Sequence, residues 1–524
     1  MKTPLIINFG LALLPFLLLL TFVFPKNPSY FKRTFKYVIT VLGLSLFTIL
    51  ILAFINFENG TIESDLVNFQ GLGLELRFDA LSIIMVIMIC IIGLIVVQYS
   101  KNYLSGESKQ TAFVQRLAFT LGCVQILVSS GNLMTFYLAW IGTSIGLHKL
   151  LLYYSERPKA QLVARKKFII ARLADVCLLA SFIIIYQYFH TGNFAVIFEK
   201  AAQLETNNLP IQLEIAGILL MLSASLKSVQ IPFHSWILEV MEAPTPVSAL
   251  LHAGLLNAGP FLIIRFAHLF DHMTIATITL IGIGSMSALF GAMTSAAQTS
   301  IKTKLAYSSV GHMGFTLLLC GLGVYSAALL HLVAHSFYKA YSFLSSGSIV
   351  DQLRKHNPYT YQRRNNFTSI IVGTLVSFIV FSAISRIWGV TLKTDFQLLF
   401  ISGIIFLGVL TLQISIWDAR LKSRSFIVLT LFSLILINSF FLLESIVSHL
   451  LGNQIPEIRE ANTILIVFSS LVFLSYLTIV VMLSIVASSR SSKALTKWQI
   501  HFTNGLYINH FLNKKFNAYR INNL

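Results

Sequence analysis

The sequence predicts an all-α polytopic membrane protein with about fifteen transmembrane helices, within a range of about 13 to 15. Three observations predict it. Of 524 residues, 56% are hydrophobic and only 11% charged, where a soluble domain carries about 25% charged residues. Apolar segments long enough to cross a bilayer recur along the whole chain, centred near residues 14, 46, 89, 122, 144, 177, 222, 255, 284, 315, 338, 378, 406, 435 and 475. The loops between them alternate between basic and acidic or nearly neutral, which is the orientation signal of membrane proteins.

In chain order, Met1 to Phe24 carries one lysine, lacks an A-x-A cleavage pattern and is followed by another span, so it reads as a retained helix rather than a signal peptide. The basic loops are Lys26 to Lys36, Lys101 to Lys109, Arg157 to Lys167, Lys302 to Lys304, Arg354 to Arg364 and Arg420 to Arg424, followed by the tail from Arg490. The other set is Glu58 to Asp79, Glu199 to Glu214, Asp271 with His272, and Glu444 to Glu460. Glu239 and Glu242 are the exception, falling on the basic side. Fifteen spans put the termini on opposite sides, with the basic C terminus cytoplasmic and the N terminus outside. The net charge of +18 is therefore a topology signal and not a nucleic-acid surface. Cys90, Cys123, Cys177 and Cys320 lie in apolar segments without metal-ligand spacing and read as lone core thiols. Expected divisions are N-terminal helices over 1–110, an ion-conducting core over 111–350, C-terminal helices over 351–487 and a tail over 488–524. The tail, with Trp498, Phe502, Tyr507, Phe511, Phe516 and Tyr519 among basic residues, reads as a membrane-surface helix or as a docking segment for a cytoplasmic partner.

Ionisable residues inside these segments carry the functional signal, because each costs at least a few kcal/mol in hydrocarbon. His331, His335 and Lys339 are four apart and share one helix face. Two histidines at that spacing also suit zinc, but no glutamate follows the first and no third ligand is evident. Lys227 precedes Pro232 by five residues; a proline breaks a helix, and a broken helix at membrane depth faces protein or water. His252 lies about two turns into a helix opened by Pro244 and Pro246, where an imidazole can relay protons. Arg172 and Asp175, three apart, are either a fixed pair or a pair that modulates Lys227. His148 and Lys149 read equally as snorkelling residues, His312 as an extension of the histidine track, and Arg386 has no assigned role.

The runs Lys227-Ser-Val-Gln-Ile-Pro-Phe-His-Ser-Trp236, Ala243-Pro-Thr-Pro-Val-Ser-Ala-Leu-Leu-His-Ala253, Ile301-Lys-Thr-Lys-Leu-Ala-Tyr-Ser-Ser309 and His331 to Ser348 resemble the antiporter-like family. That family includes the large membrane subunits of respiratory complex I and of Mrp sodium/proton antiporters. The resemblance is strong over roughly residues 75 to 350 and implies an inverted-repeat bundle with a broken helix near Pro232. It also implies that Lys227, His252, His331, His335 and Lys339 handle the ion, with Arg172 and Asp175 at a further family position. Two departures separate the chain from complex I subunits. Tyr137-Leu-Ala-Trp-Ile141 lacks the glutamate that follows their tryptophan, and Thr368 to Gly389 lacks the proline and lysine of a second broken helix.

Gly254 to Arg265, Met313 to Gly323 and His331 to Lys339 resemble the DabB group, the membrane subunits of two-subunit bacterial inorganic-carbon transporters. This implies a multi-pass protein of the bacterial inner membrane that is not itself an enzyme. It implies conduction of protons or sodium to drive a cytoplasmic DabA-like partner, a zinc protein similar to β-carbonic anhydrases that handles CO2 or bicarbonate. It further implies no cofactor or metal in this chain. The alternatives are a proton-pumping subunit of a complex I-like NADH-quinone oxidoreductase and a cation/proton antiporter subunit.

Overall fold

The computed structural model describes residues 5–204, 209–347, 367–390, 395–418, 423–458, 463–488 and 493–515. The basic loop Arg354 to Arg364, most of Arg420 to Arg424, and Phe516 and Tyr519 of the tail lie outside the described residues. Each of the fifteen predicted centres falls on a helix. Among the described residues, eight helices are long and apolar enough to cross a membrane by length and composition.

In order, the chain forms α1 (Leu5–Leu20), α2 (Phe31–Asn59), β1 (Ile62–Phe69), β2 (Leu72–Phe78), α3 (Ala80–Tyr103), α4 (Gln110–Val128), α5 (Leu133–Leu151), α6 (Pro158–Phe189), α7 (Phe194–Ala202) and α8 (Ile211–Lys227). It continues through α9 (Ser235–Glu239), α10 (Thr245–Leu250), α11 (Ala258–Arg265), α12 (Ala267–Phe270), α13 (Thr274–Ala297), α14 (Ile301–Gly321) and α15 (Tyr325–Leu344). The C-terminal part is α16 (Phe367–Ile387), α17 (Phe396–Asp418), α18 (Ser423–Leu451), α19 (Thr463–Ser488), α20 (Lys493–Thr503) and α21 (Ile508–Lys515).

Glu58 to Asp79, a loop by its polar composition, instead holds a β-hairpin. Its two-residue turn, Gln70-Gly71, has φ of 51° and 79°, a primed turn that matches strand twist. The Asn68 side chain accepts a hydrogen bond from the Gly71 N–H at 3.0 Å and closes the turn. Strand β2 is tied to the helix bundle, with Arg77 N–H donating to Ser129 O at 2.7 Å. The hairpin hands the chain to Asp79, which caps α3 by accepting from Ser82 N–H at 2.9 Å. Asp79 also pairs with Arg265, the last residue of α11, at 2.5 Å, so one buried ion pair pins two distant helices. Burial opposes charge on Asp79, but the Arg265 and Arg77 guanidiniums outweigh it and hold its carboxyl well below the usual carboxylate range.

The tightest helix contact is between α13 and α14, and small residues explain it. A Cβ on Gly314 would sit 2.7 Å from the Gly284 carbonyl oxygen, and one on Gly284 2.6 Å from Leu318 N. No bulkier residue fits at these crossings, so α14 is held rigidly where it faces α15. By contrast, α16 runs unbroken from Phe367 to Ile387, with Arg386 exposed in its last turn.

Two boundaries differ from the sequence reading. Helix α6 begins at Pro158, a residue suited to the first helical turn, so most of the loop Arg157 to Lys167 is helical. The Lys166 and Lys167 side chains there are buried, whereas Lys159 is exposed. Glu444, read as the edge of an acidic loop, lies inside α18 and is buried.

Candidate functional site

Two interrupted helices and one antiparallel seam position the predicted ionisable residues. Helix α8 ends on Lys227 itself. Val229 follows with φ of 56°, a left-handed conformation unfavourable for a β-branched residue, and the chain resumes helical form only at Ser235. The break thus starts several residues before Pro232, and the Lys227 side chain leaves the helix where the hydrogen-bond ladder ends. Its Nζ donates to Ser144 Oγ at 2.7 Å, to Trp140 O at 3.1 Å and to Thr143 Oγ1 at 3.3 Å, and lies 4.2 Å from the centroid of the Trp140 ring. Helix α5 therefore supplies one carbonyl and two hydroxyls to the Lys227 ammonium.

A second amine shares this place. Lys167 on α6 is buried, and its Nζ donates to Ser144 O at 2.7 Å. Both lysines line a cavity of about 20 Å³, enough for roughly one water molecule. Arg172 and Asp175 do form the expected pair, at 2.6 Å. Asp175 stands beside Lys227's helix, because Ser223 on α8 donates to Ala174 O at 2.9 Å.

The far wall of the cavity is Leu251, Leu255 and Leu256. Leu251–Leu255 is a π-helical turn between α10 and α11, with Leu256 N–H bonded to Leu251 O at 3.1 Å. The sequence reading had an ordinary helix here. Pro260, lacking an N–H, limits continuation of the regular ladder, and the Asn257 side chain donates to Ala253 O at 2.9 Å and to Ser336 Oγ on α15 at 2.7 Å. His252 projects from this turn, fully buried. Its ring stacks on Phe343 at 4.3 Å, and its Nδ1 is 2.8 Å from Ser309 Oγ.

Ser309 leads into the seam between α14 and α15. Its neighbour Ser308 accepts from Lys339 Nζ, which also donates to Leu305 O at 2.9 Å. One turn further along both helices, the rings of His312 and His335 are 4.8 Å apart. Beyond them His312 Nδ1 is 3.3 Å from His331 Nε2, and Phe315 closes on the His331 ring at 5.1 Å. His335 is buried, and among the described residues neither ring nitrogen has a hydrogen-bond partner. The three charges of the α15 face therefore form a column along the helix axes. Lys339 stands next to His252 in the order of contacts, between it and the imidazoles.

His148 and Lys149 do not join this set. They end α5, with His148 against Phe168 at 5.5 Å and Lys149 Nζ 4.0 Å from the centroid of Phe22. The exception in loop charge has a structural reason: Glu239 pairs with buried Lys166 at 2.6 Å, and Glu242 lies 3.8 Å from both Arg157 and Lys159. Tail helix α21 completes the first pair, with Asn513 accepting from Lys166 and donating to Glu239 Oε1 at 3.4 Å. The tail thus docks on its own chain. Lys167, Ser144, Ser308, Ser309 and Asn257 were not among the predicted site residues. Ser308 and Ser309 lie in the run Ile301 to Ser309 and Asn257 in the run Gly254 to Arg265, whereas no such run includes Lys167 or Ser144. Among the described residues, no group of three or more His, Cys, Asp or Glu is arranged to hold a metal ion.

Residues 130–390 match a family model described as NADH:quinone oxidoreductase/Mrp antiporter, TM, and residues 68–114 match one described as NADH-Ubiquinone oxidoreductase (complex I), chain 5 N-terminus. The chain is 37% identical over 381 residues to the probable inorganic carbon transporter subunit DabB2 of Halothiobacillus neapolitanus, covering 70% of this chain and 68% of that protein. It is 39% identical over 290 residues to the probable inorganic carbon transporter subunit DabB of Hydrogenovibrio crunogenus, covering 55% of this chain and 56% of that one. Among solved structures, the Mrp complex from Dietzia sp. DQ12-45-1b aligns with a TM-score of 0.64 at 21% identity, covering 99% of this chain and 59% of the matched chain. At that identity the likeness establishes the fold alone.

Proposed function

The chain belongs to the DabB group of the antiporter-like membrane subunits, and on that premise we propose that it is the membrane subunit of an inorganic-carbon transporter. It conducts protons or sodium ions across the bacterial inner membrane and couples their flow to a soluble cytoplasmic partner. The partner is a DabA-like zinc protein, similar to β-carbonic anhydrases, that handles CO2 or bicarbonate; this chain performs no such chemistry itself. The C terminus is cytoplasmic and the N terminus outside. The ion gradient supplies about 2.3 kcal/mol per charge per 100 mV.

The observation that carries this reading is the succession of polar groups through the apolar core. Lys227 faces a water-sized cavity walled by the turn that holds His252. His252 contacts Ser309, Ser308 contacts Lys339, and the His335, His312 and His331 rings follow. Groups that exchange protons need contacts of hydrogen-bond length or a single bridging water; His252 with Ser309, Ser308 with Lys339 and His312 with His331 meet that length, and water would bridge the steps from Lys227 to His252 and past His335. Arg172 and Asp175 set the charge around Lys227.

The test is uptake of labelled inorganic carbon by cells expressing the chain with its neighbouring partner. Lys227→Ala and His335→Ala are expected to abolish uptake while the partner still co-purifies; full uptake by both variants overturns the assignment. The same purification separates the related readings. Flavin or iron–sulfur subunits in the complex favour a redox-linked pump, which the chain 5 match brings into view. Sodium-dependent proton flux from the chain alone in vesicles favours an antiporter.

A further inference from the structure

The column between α14 and α15 runs from Leu305 to His331, and the structure places a buried carboxylate beyond its His331 end. Glu444 sits within α18, inside the membrane-crossing stretch Leu431–Gln454, and its side chain is 7% exposed. It accepts a hydrogen bond of 2.5 Å from the hydroxyl of Ser326, the second residue of α15. Among the described residues no lysine, arginine or histidine forms an ion pair with it. An ionised carboxylate in an apolar interior is costly unless a cation or proton neutralises it, and one serine hydroxyl does not.

Its depth follows from the helices. The end of α18 is tied to the loops on the side of the hairpin, since Leu81 N–H donates to Gln454 Oε1 at 3.2 Å and His268 Nε2 is 3.1 Å from Asn453 O. Glu444 lies seven residues before Leu451, the last residue of α18, which is about 10 Å along the axis. His331 lies five residues after Ser326 on α15, about 7.5 Å deeper. The carboxylate therefore stands between the innermost imidazoles and the hairpin side of the membrane, the outer side in the proposed orientation. Ser326 turns toward α18 and His331 toward α14, so the step between them is one that a water or the ion itself would bridge. Asp395, before α17, adds negative charge near Glu444.

We propose that Glu444, held by Ser326, is a cation-binding carboxylate, for a proton or a sodium ion, at the outer end of the α14–α15 column. It supplies from α18 an end group where α16, Phe367–Ile387, is unbroken and carries no lysine. The assignment rests on the proposed ion conduction, and the experiment separates the two. The full chain with its partner is reconstituted in vesicles, and proton entry and labelled sodium entry are followed against outer pH and outer sodium. Wild-type complex conducts one of the two ions, and which one identifies the ligand; no flux of either ion overturns the conduction reading itself.

With conduction present, Glu444→Gln is expected to lower flux at least tenfold and Glu444→Asp to restore most of it. Ser326→Ala is expected to shift the half-saturating outer concentration of the conducted ion severalfold, a change that a residue serving only helix packing does not produce. Ser326→Ala also answers the question if Glu444→Gln fails to assemble. Wild-type flux and unchanged half-saturation in the variants that assemble overturn the carboxylate assignment and leave the rest of the path standing.

Discussion

Lys227 and Lys339 are bound by the same chemistry in opposite kinds of backbone. Each donates to one backbone carbonyl and to serine hydroxyl, Trp140 O and Ser144 for the first, Leu305 O and Ser308 for the second. Neither ammonium forms an ion pair with a carboxylate among the described residues. Lys227 ends a helix, faces a water-sized cavity and has Lys167, Arg172 and Asp175 around it. Lys339 lies in an uninterrupted helix, one turn from the His335 ring. The difference teaches that the break is a place where charges accumulate beside a cavity, whereas the seam is an ordered row of polar groups. In the proposed conduction, movement belongs at the first; order and spacing matter at the second.

The largest effect expected from this contrast is at the break. Lys227→Ala should lower inorganic-carbon uptake about 100-fold or more, the scale of losing a positioned proton carrier, with the partner still bound. Lys339→Ala should match it, since a row broken anywhere stops flow. Asp175→Asn should impair the break alone: uptake falls, but a thiol-accessibility map of α15 is unchanged. Equal disturbance of α15 would mean that the two regions are one electrostatic unit.

Next in size is the anchor of the interrupted helix. Asp79→Asn leaves Arg265 buried without its carboxylate, a change of about 3–5 kcal/mol, read as a lower unfolding temperature in detergent. Because the folded Asp79 carboxyl is held below its unfolded value, the pair's contribution is complete above the ordinary carboxylate range. It is lost as pH falls below that range toward the folded value. Wild type should therefore lose more stability than Asp79→Asn between pH 6 and strongly acid conditions. Ser308→Ala removes one bond to the Lys339 ammonium, worth about 1.5–3 kcal/mol. It should slow transport roughly tenfold, with Ser309→Ala somewhat less.

The helices were legible because apolar length is a strong signal: all fifteen centres lie on helices. The α15 face was legible because spacing by four aligns residues on any helix. Its partner was legible only in part: His312 reads as an extension of the histidine track, but nothing in His331 to Lys339 tells that Ser308 of α14 stands opposite Lys339. Pro232 signalled the break, but its start at Ser228 and the left-handed Val229 carry no composition cue. The π turn at His252 was invisible for the same reason. Gln70-Gly71 is a weaker hairpin signal than Asn-Gly, so β1 and β2 went unread. Lys166 and Lys167 were counted with a basic loop because a lysine next to a span usually snorkels; here Glu239 and Ser144 receive them inside.

The smallest expected effect probes whether the tail belongs to the break. Lys166 adjoins Lys167 on α6, and Asn513 of α21 bonds both Lys166 and Glu239. A second tie lies on α20, where Gln298 Nε2 donates to Thr503 O at 3.0 Å. Asn513→Ala removes one seat of the tail and leaves the Lys166–Glu239 pair intact, a loss of about 1 kcal/mol. Local opening should then rise about fivefold, measured as faster trypsin cleavage at Lys514. Uptake should change less than about twofold if the tail is a passive cover, because Lys167 keeps its own bond to Ser144. A larger fall in uptake, matched by Glu239→Gln, would extend the charged break to the cytoplasmic surface and make the tail part of the conducting region.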